Sequence, residues 1–172
     1  MKKGFTLIEL IIVVIIIAIV AITALPRLAQ IGEIRMHMAS RKMAADMKWA
    51  HEYAIARNRN TSMVFNPAPT NTYVIQENSS GSWQTLIDPT TGDPFSINLN
   101  TGEYKGVSIK SADFGGGRIL VFDAMGRPYT DSALTTELTN IGTVILEVAG
   151  ASNVTETTIA VSPETGVVSF NE

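Results

Sequence analysis

One charged side chain interrupts an otherwise uncharged, largely apolar run near the N-terminus. Between Phe5 and Leu25, Glu9 is the only charged residue. At a rise of about 1.5 Å per residue, this run would form a helix of about 32 Å, which is enough to cross the core of a bilayer. An ionised carboxylate is costly in hydrocarbon, so it pairs with a cation or withdraws to the membrane surface. Glu9 therefore indicates either an ion pair or a position at the level of the lipid headgroups, where its charge would favour the positive N-terminus of the helix.

The residues before the apolar run suggest where a cation could arise. Lys2 and Lys3 form a short charged leader, and Gly4 is the only small residue that flanks it. A secretory signal peptide has its apolar segment before the cleavage site and loses it on processing. A cut after Gly4 would instead leave the apolar helix on the mature chain, with a new amino group on Phe5.

Composition and charge exclude several classes of protein. The 172 residues include no cysteine, which excludes disulfide scaffolds and thiolate metal sites. Residues 1–60 hold nine basic and four acidic side chains, whereas residues 61–172 hold four basic and twelve acidic ones, so the two parts carry net charges near +5 and −8. The acidic part lacks the clustered Lys and Arg of a nucleic-acid-binding surface, although Arg118 and Arg127 flank one turn and could form a local patch.

After the apolar run, the sequence indicates an amphipathic helix. Pro26 removes one backbone donor, and we expect it to break or weaken the helix there. Beyond it, apolar residues recur in steps of three and four on one face: Met36, Ala39, Met43, Met47, Ala50 and Ala54. Charged residues such as Arg41 lie opposite, and Lys42 can pair with Asp46 across one turn. We predict one helix from about residue 5 to about residue 58, whose second half docks against a core.

The remainder of the chain reads as short β-strands separated by turns. The separators are rich in Pro, Gly, Asn, Asp and Ser. The β-rich runs are TSMVF, TYVIQ, SWQTLI, KGVSI, RILVF, TVILEV, TTIAVS and GVVSF. The last two are expected to form a hairpin that turns at Pro163–Gly166. The predicted fold class is α+β: a long N-terminal α-helix, transmembrane in its first half and amphipathic in its second, packed on an antiparallel β-sheet or β-sandwich head.

The opening decapeptide, MKKGFTLIEL, carries a specific motif. Glycine, phenylalanine, threonine and the acid stand at fixed offsets before a long Ile/Val run. This pattern resembles the leader of type IV pilins and pseudopilins. The resemblance implies that a membrane prepilin peptidase cuts between Gly4 and Phe5, that Phe5 is then N-methylated, and that Glu9 pairs with the terminal amine of a neighbouring subunit. Pro26 matches the helix-breaking proline of that family.

The same resemblance divides the chain into functional parts. They are a prepilin leader peptide (residues 1–4), a transmembrane and assembly helix (5–25), an amphipathic stem helix (26–59) and an extracytoplasmic β-rich head (60–172). The implied location is the bacterial inner membrane, crossed once, with the head in the periplasm. Basic residues occur on both sides of the apolar run, so the positive-inside rule does not decide the orientation, and only the leader resemblance does.

A turn in the head resembles that of one subgroup of this family. In physical terms, Asp123 of the phrase RILVFDAMGRP can bond to nearby backbone, Gly126 can take positive φ, and Arg127 and Pro128 follow at the end of the turn. This phrase, with the later TTIAVSPETGVVS hairpin, is similar to the H-type minor pseudopilins of type II secretion and the related T-type minor pilins (GspH/FimT-like).

That narrower resemblance implies a function and partners. It predicts a minor pseudopilin of a type II secretion system, a structural component of the periplasmic pseudopilus that helps push folded proteins across the outer membrane. The alternative is a minor pilin of a type IV pilus, which acts in assembly priming or DNA uptake. The implied partners are the membrane, other pilin or pseudopilin subunits, the prepilin peptidase and the inner-membrane assembly platform. The acidic head argues against nucleic acid as a partner.

No motif predicts an enzyme, a cofactor or a metal site. The sequence contains no phosphate-binding loop, zinc-ligand spacing or nucleophile elbow. Its two histidines, His37 and His51, lie on the predicted stem helix, and packing or capping is the role expected for His51. Asp88 and Asp93 in DPTTGDP predict a turn, because two acids among prolines are too few for a calcium site.

Overall fold

A single long helix, α1 (Leu7–Arg57), joins the N-terminal region to the head. The structure is a computed structural model that describes residues 6–66, 69–148 and 156–171, except for the side chains of residues 23–30 and 170–171. The helix begins with a capping box between Thr6 and Glu9 and ends at Asn58, which adopts the left-handed conformation with φ 51°. These bounds confirm the predicted helix to within a few residues.

The helix continues through Pro26 as one element, in agreement with the single helix predicted between about residues 5 and 58. Proline removes one N–H donor and crowds the preceding turn, yet the flanking turns of a long helix can hold the backbone helical across one missing hydrogen bond. Local weakening of the helix at this position stays a prediction.

The two ends of α1 have different surroundings. From Leu7 to Ile22 every large apolar side chain is exposed, by 43% to 76%. From Met36 onwards the stripe predicted from the sequence is buried, and Met36, Met43 and Met47 are completely inaccessible. Within the part of the chain that the structure describes, no helix has the length and apolar character needed to cross a membrane.

Two antiparallel sheets form the head. The first has the order β3-β2-β1-β6-β7, with β4 beside β3 on the outer edge of β2, and the second has the order β10-β9-β8-β5. The strands of the first sheet are β1 (Thr61–Asn66), β2 (Thr72–Ser79), β3 (Ser82–Thr85), β4 (Ser96–Asn98), β6 (Ile119–Phe122) and β7 (Pro128–Tyr129). Those of the second are β5 (Val107–Asp113), β8 (Gly142–Val148), β9 (Glu156–Val161) and β10 (Val168–Asn171).

Each predicted β-rich run contains a strand, and two strands were not predicted. The closing hairpin is confirmed, because β9 and β10 pair from Val161 opposite Val168. The two missed strands, β4 and β7, have three and two residues and lie at sheet edges. Such short segments carry too few residues for an alternating pattern to be recognised. A 3-10 helix (Gly102–Tyr104) precedes β5.

The core lies where the stem half of α1 meets both sheets. The helix contacts β1 and β6 of the first sheet and β5, β8, β9 and β10 of the second. The strands present alternate residues inward, as Met63 and Phe65 do on β1. The ring of Phe65 stacks on Phe114 at a centroid distance of 5.4 Å, which connects the first sheet to the end of β5. The head and the stem therefore share one core.

Candidate functional site

The acid in the N-terminal run caps its own helix in this structure. The Thr6 N–H donates to Oε2 of Glu9 over 3.4 Å, and the Glu9 N–H donates to the Thr6 hydroxyl over the same distance. Both contacts are exposed and longer than the usual 2.7–3.2 Å of an N–H···O bond, so they are weak. Gly4 and Phe5, where the leader resemblance implies cleavage and methylation, lie outside the described residues.

The exposed apolar surface of α1 surrounds this acid on every side of the helix. Leu7, Ile8 and Leu10 are each at least 60% exposed, although they point in different directions around the helix. Soluble proteins rarely leave a continuous apolar surface of this size in water, so such a surface marks contact with lipid or protein. The arrangement places one carboxylate, Glu9, near the end of a long apolar helix.

In the head, the Asp123 carboxylate organises the predicted turn. Its Oδ1 accepts hydrogen bonds of 2.8 Å from the N–H groups of Met125 and Arg127, and its Oδ2 accepts one of 3.1 Å from the Arg127 guanidinium. The Gly126 N–H donates to the Asp123 carbonyl over 2.9 Å, and Gly126 has φ +84°. The turn has the geometry expected from its residue types.

This turn meets the hairpin turn between β9 and β10 on the surface of the stem helix. A Cβ atom added at Gly126 would lie 2.6 Å from Nε2 of His51, and one added at Gly166 would lie 2.8 Å from the Gly126 carbonyl oxygen. The His51 ring also packs edge-on against Phe122, with 5.1 Å between centroids. We call this group (His51, Phe122, Gly126 and Gly166) the turn clasp. It confirms the packing role expected for His51.

Arg127 is held by carboxylates on two sides. Besides Asp123, its guanidinium donates to Oε1 of Glu137 over 3.3 Å, and the Tyr129 hydroxyl donates to the same oxygen over 3.3 Å. The hydrogen bond to Asp123 raises the pKa of Arg127, which keeps the guanidinium charged. Because two acids neutralise it, Arg127 adds little to the basic patch with Arg118 that the sequence suggested.

A buried carboxylate connects the stem to the first sheet. Asp46 is 5% exposed, and its Oδ1 accepts a 2.7 Å hydrogen bond from Nζ of Lys42, as predicted from their spacing. Its Oδ2 accepts a 2.6 Å hydrogen bond from the Tyr73 hydroxyl on β2. Burial raises the pKa of Asp46, and the two hydrogen bonds oppose that rise. Burial also raises the pKa of Tyr73 well above its usual value.

The DPTTGDP segment forms the predicted turn. Asp88 is buried, its Oδ1 accepts a 2.7 Å hydrogen bond from the Thr90 N–H, and its own N–H donates to the Asp93 carbonyl over 2.9 Å. The Asp88 carboxylate therefore stabilises the loop itself, and Asp93 contributes its backbone carbonyl. Among the described residues, no group of three or more His, Cys, Asp or Glu side chains is arranged to hold a metal ion.

Comparison with known proteins places the chain in a family. Residues 1–25 match the prokaryotic N-terminal methylation motif, and residues 39–168 match the family described as Type II transport protein GspH. The second match spans most of the chain. This chain belongs to the GspH family. Pilins and pseudopilins are structural proteins that are not known as enzymes. No curated protein sequence matches the chain.

Solved structures with the same fold include a minor pseudopilin of a type 2 secretion system and a type IV minor pilin. The minor pseudopilin EpsH from the type 2 secretion system of Vibrio cholerae aligns with a TM-score of 0.58 and 11% identity, over 80% of this chain and 96% of that one. The type IV minor pilin FimU of Pseudomonas aeruginosa aligns with a TM-score of 0.53 and 15% identity, over 81% and 90%. At these identities the likeness establishes the fold alone, which is the pilin-like α+β fold predicted from the sequence.

Several residues of these sites were not singled out from the sequence. Glu137 lies ten residues from Arg127 along the chain, beyond the reach of a simple turn, and Tyr73 looks like any aromatic residue of a strand. Gly166 lies in the turn predicted at Pro163–Gly166, but its contact with Gly126 was not predicted. The partners of long-range polar contacts depend on how the sheets pack, which local patterns do not specify.

Proposed function

We propose that this chain is a minor pseudopilin of a type II secretion system, a structural subunit of the periplasmic pseudopilus that helps push folded proteins across the outer membrane. The observation that carries the proposal is one 51-residue helix with two environments. Its C-terminal half is built into the head, and its N-terminal residues up to Ile22 present an exposed apolar surface. That surface would lie in the inner membrane before assembly and against neighbouring helices in the filament.

The leader residues supply the chemistry of assembly in this proposal. Prepilin peptidase cuts between Gly4 and Phe5, and Phe5 becomes the N-methylated end of the mature chain. The new amine is positive at neutral pH, whereas the side chain of Glu9 makes only weak contacts to Thr6 within the described part of the chain. A neighbouring subunit's amine can therefore compete for the carboxylate. Pairing the two charges removes the cost of keeping either of them unpaired in an apolar environment.

Mass spectrometry of the native protein tests the processing step. We expect an N-terminus at Phe5 that carries one methyl group, and an intact Met1 or an end beyond residue 25 would contradict the proposal. The assembly step is tested with Glu9→Leu, which is expected to enter the membrane but not the filament. Glu52→Leu, an exposed acid on the stem, is the matched control and is expected to assemble normally.

The likeness to FimU supports a second candidate, a minor pilin of a type IV pilus. The two functions differ in what is lost on deletion of the gene: secretion of folded proteins in the first case, pilus formation or DNA uptake in the second. The DNA-uptake version also predicts that the head, with residues 61–172 near −8 in charge, binds DNA. A gel-shift assay at two salt concentrations measures that binding, which charge repulsion is expected to prevent.

A further inference from the structure

The second sheet ends at β10, which pairs with β9 on one side only. The Ser162 N–H donates to the Val167 carbonyl over 2.9 Å, so the backbone of residue 167 faces β9. Because bonded and non-bonded pairs alternate between antiparallel strands, the N–H and C=O groups of Val168 and Phe170 point away from β9. Within the part of the chain that the structure describes, no hydrogen bond reaches these groups. β10 therefore presents an open edge.

Two other edges of the head are protected. On β5, at the opposite end of the second sheet, the Ile109 N–H donates to Oδ1 of the buried Asn71 over 3.2 Å, and the register shifts between Ile109 and Ser111. Beside β7, the Leu138 N–H donates to the Pro128 carbonyl over 2.9 Å. Irregular pairing and covering loops are devices by which proteins prevent strand addition at an edge. The described residues give β10 no such cover, so its edge is available to another strand.

An apolar groove lies beside this open edge. It has a volume of about 270 Å³ and separates the stem helix from β10, with His51 and Ile55 on the helix side and Val167 and Val168 on the strand side. Ile55 and Val167 are 47% and 58% exposed. Val168 lies opposite the fully buried Val161, so its side chain is on the face of the sheet that packs against the helix. The groove and the open edge therefore adjoin each other.

An added strand would use the open edge and the groove together. In an antiparallel pair, its residue opposite Val168 would exchange two backbone hydrogen bonds with β10. The side chains of directly opposed residues lie on the same face of a sheet, so that residue's side chain would enter the groove beside Ile55. Its neighbours in the strand would point to the other face. The chemistry of the occupant is thus an extended peptide with an apolar residue at every second position.

We propose that the groove and the edge of β10 form a docking site for an extended segment of a different polypeptide, which joins the second sheet as an added strand. A second copy of this chain is the rival occupant. Two β10 edges would pair antiparallel around a two-fold axis perpendicular to the sheet, which reverses every direction within its plane. The stem helix contacts β5, β8, β9 and β10 and so runs across the face of the sheet. The two stems would therefore point in opposite directions, whereas both enter one membrane in the proposed function, on which this exclusion rests.

A synthetic peptide tests the backbone contact. Acetyl-ETTIAVS-amide, the sequence of residues 156–162, has the required alternation, because Ile159 and Val161 lie on one face of β9. With that face towards the groove, the N–H groups of these two residues would point to β10. Methylation of their amide nitrogens removes the donors. Methylation of the amide nitrogens of Thr158 and Ala160 blocks only the opposite edge of the peptide, so the two methylated peptides have the same composition and apolarity.

Fluorescence anisotropy of the two labelled peptides, with the purified full chain in detergent micelles, measures their binding. We expect the peptide methylated at Thr158 and Ala160 to bind about tenfold more tightly than the peptide methylated at Ile159 and Val161, because the latter leaves backbone groups of β10 unpaired. Adsorption to the micelles is expected to be equal for both peptides. Equal binding of the two peptides would overturn the proposal.

Val168→Pro tests the same edge from the side of the protein. Proline removes the outward N–H of residue 168 and no donor to β9, and Val168→Ala is the matched control because it loses the side chain but keeps that N–H. We expect the proline variant to bind the peptide methylated at Thr158 and Ala160 about fivefold more weakly than the alanine variant does. Equal binding by the two variants would contradict the proposal.

A dimer of the wild-type chain that Val168→Pro abolishes would also overturn the proposal, because it would assign the edge to a second copy. Analytical ultracentrifugation of both chains in the same micelles detects it. A methylated Phe5 at the N-terminus of a native protein that fails the peptide test would leave the proposed function standing.

Discussion

Gly126 lies so close to His51 that a Cβ atom at position 126 would stand 2.6 Å from the Nε2 atom of the imidazole. The turn of the first sheet can therefore contact the stem helix this closely only because residue 126 has no side chain. Gly166 approaches the same place from the second sheet, and its added Cβ would lie 3.0 Å from Cδ2 of His51. Two turns that are forty residues apart in the chain, one from each sheet, thus pack against the helix at His51.

The first prediction concerns Gly126→Ala. Gly126 has φ +84°, and its added Cβ would also approach Cδ1 of Ile55 to 2.8 Å. The substitution therefore combines backbone strain with overpacking, and we expect it to lower the free energy of unfolding by about 2–4 kcal/mol. Gly81→Ala is the matched control, because Gly81 has φ +87° but no heavy atom within 4 Å of the added Cβ.

The control separates the effect of the close contact at position 126 from the effect of the positive φ angle. Gly81→Ala is expected to cost about 1 kcal/mol, from the left-handed backbone alone. Urea unfolding of the full chain, followed by circular dichroism, measures both variants. Equal losses in the two variants would show that the contact with His51 contributes nothing.

The second prediction concerns Asp123. Asp123→Ala removes the acceptor for the N–H groups of Met125 and Arg127 and for the Arg127 guanidinium, and we expect a loss of about 2–3 kcal/mol. Asp123→Asn keeps one oxygen for the two N–H groups and loses the ion pair, so its loss is expected to be smaller. Thermal unfolding compares them, and a larger loss for the Asn variant would contradict the account of the turn.

The third prediction separates the two faces of the stem. Met47 is fully buried against the head, so Met47→Ala is expected to lower the free energy of unfolding by about 2–4 kcal/mol through the cavity it leaves. Met38 is 42% exposed, and Met38→Ala is expected to change the free energy of unfolding by less than about 0.5 kcal/mol. Denaturant titration of both variants decides the matter, and a large loss for Met38→Ala would place that side chain in the subunit's own core.

The sequence was informative wherever a contact is local or periodic. The buried stripe of α1, the Asp123 turn and the β9–β10 hairpin all follow from spacings of two to four residues, which the chain displays directly. The family resemblance rested on the same short-range features. The leader sites Gly4 and Phe5 lie outside the described residues, and their roles stay predictions.

The sequence was uninformative where the contact joins distant parts of the chain. The pairing of Asp46 with Tyr73 spans the helix and a strand, and that of Arg127 with Glu137 needs a loop of ten residues to close. Nothing in a local window distinguishes these side chains from ordinary surface acids and strand aromatics.

The last prediction follows from the buried Asp46. Its pKa is raised mainly by burial, so the folded state holds the proton more tightly than the unfolded state, whose value is near 3.8. The stabilisation that this group contributes is therefore complete below the unfolded pKa and is lost as the pH rises through the raised folded pKa. In Asp46→Asn this dependence is absent. We expect the wild-type stability, relative to Asp46→Asn, to fall as the pH is raised from below the unfolded pKa through the raised folded pKa, and then to level off.

Removing the Tyr73 hydroxyl is expected to shift the pH range over which this stabilisation is lost. Its 2.6 Å hydrogen bond to Asp46 favours the ionised carboxylate, so Tyr73→Phe is expected to raise the pKa of Asp46 further and to shift the window to higher pH. Tyr129→Phe is the control, because that hydroxyl bonds to Glu137 and not to Asp46. Thermal unfolding of wild type and the three variants across this pH range gives the result. A wild-type stability that rises with pH relative to Asp46→Asn would mean that the ion pair with Lys42, and not burial, controls the pKa of Asp46.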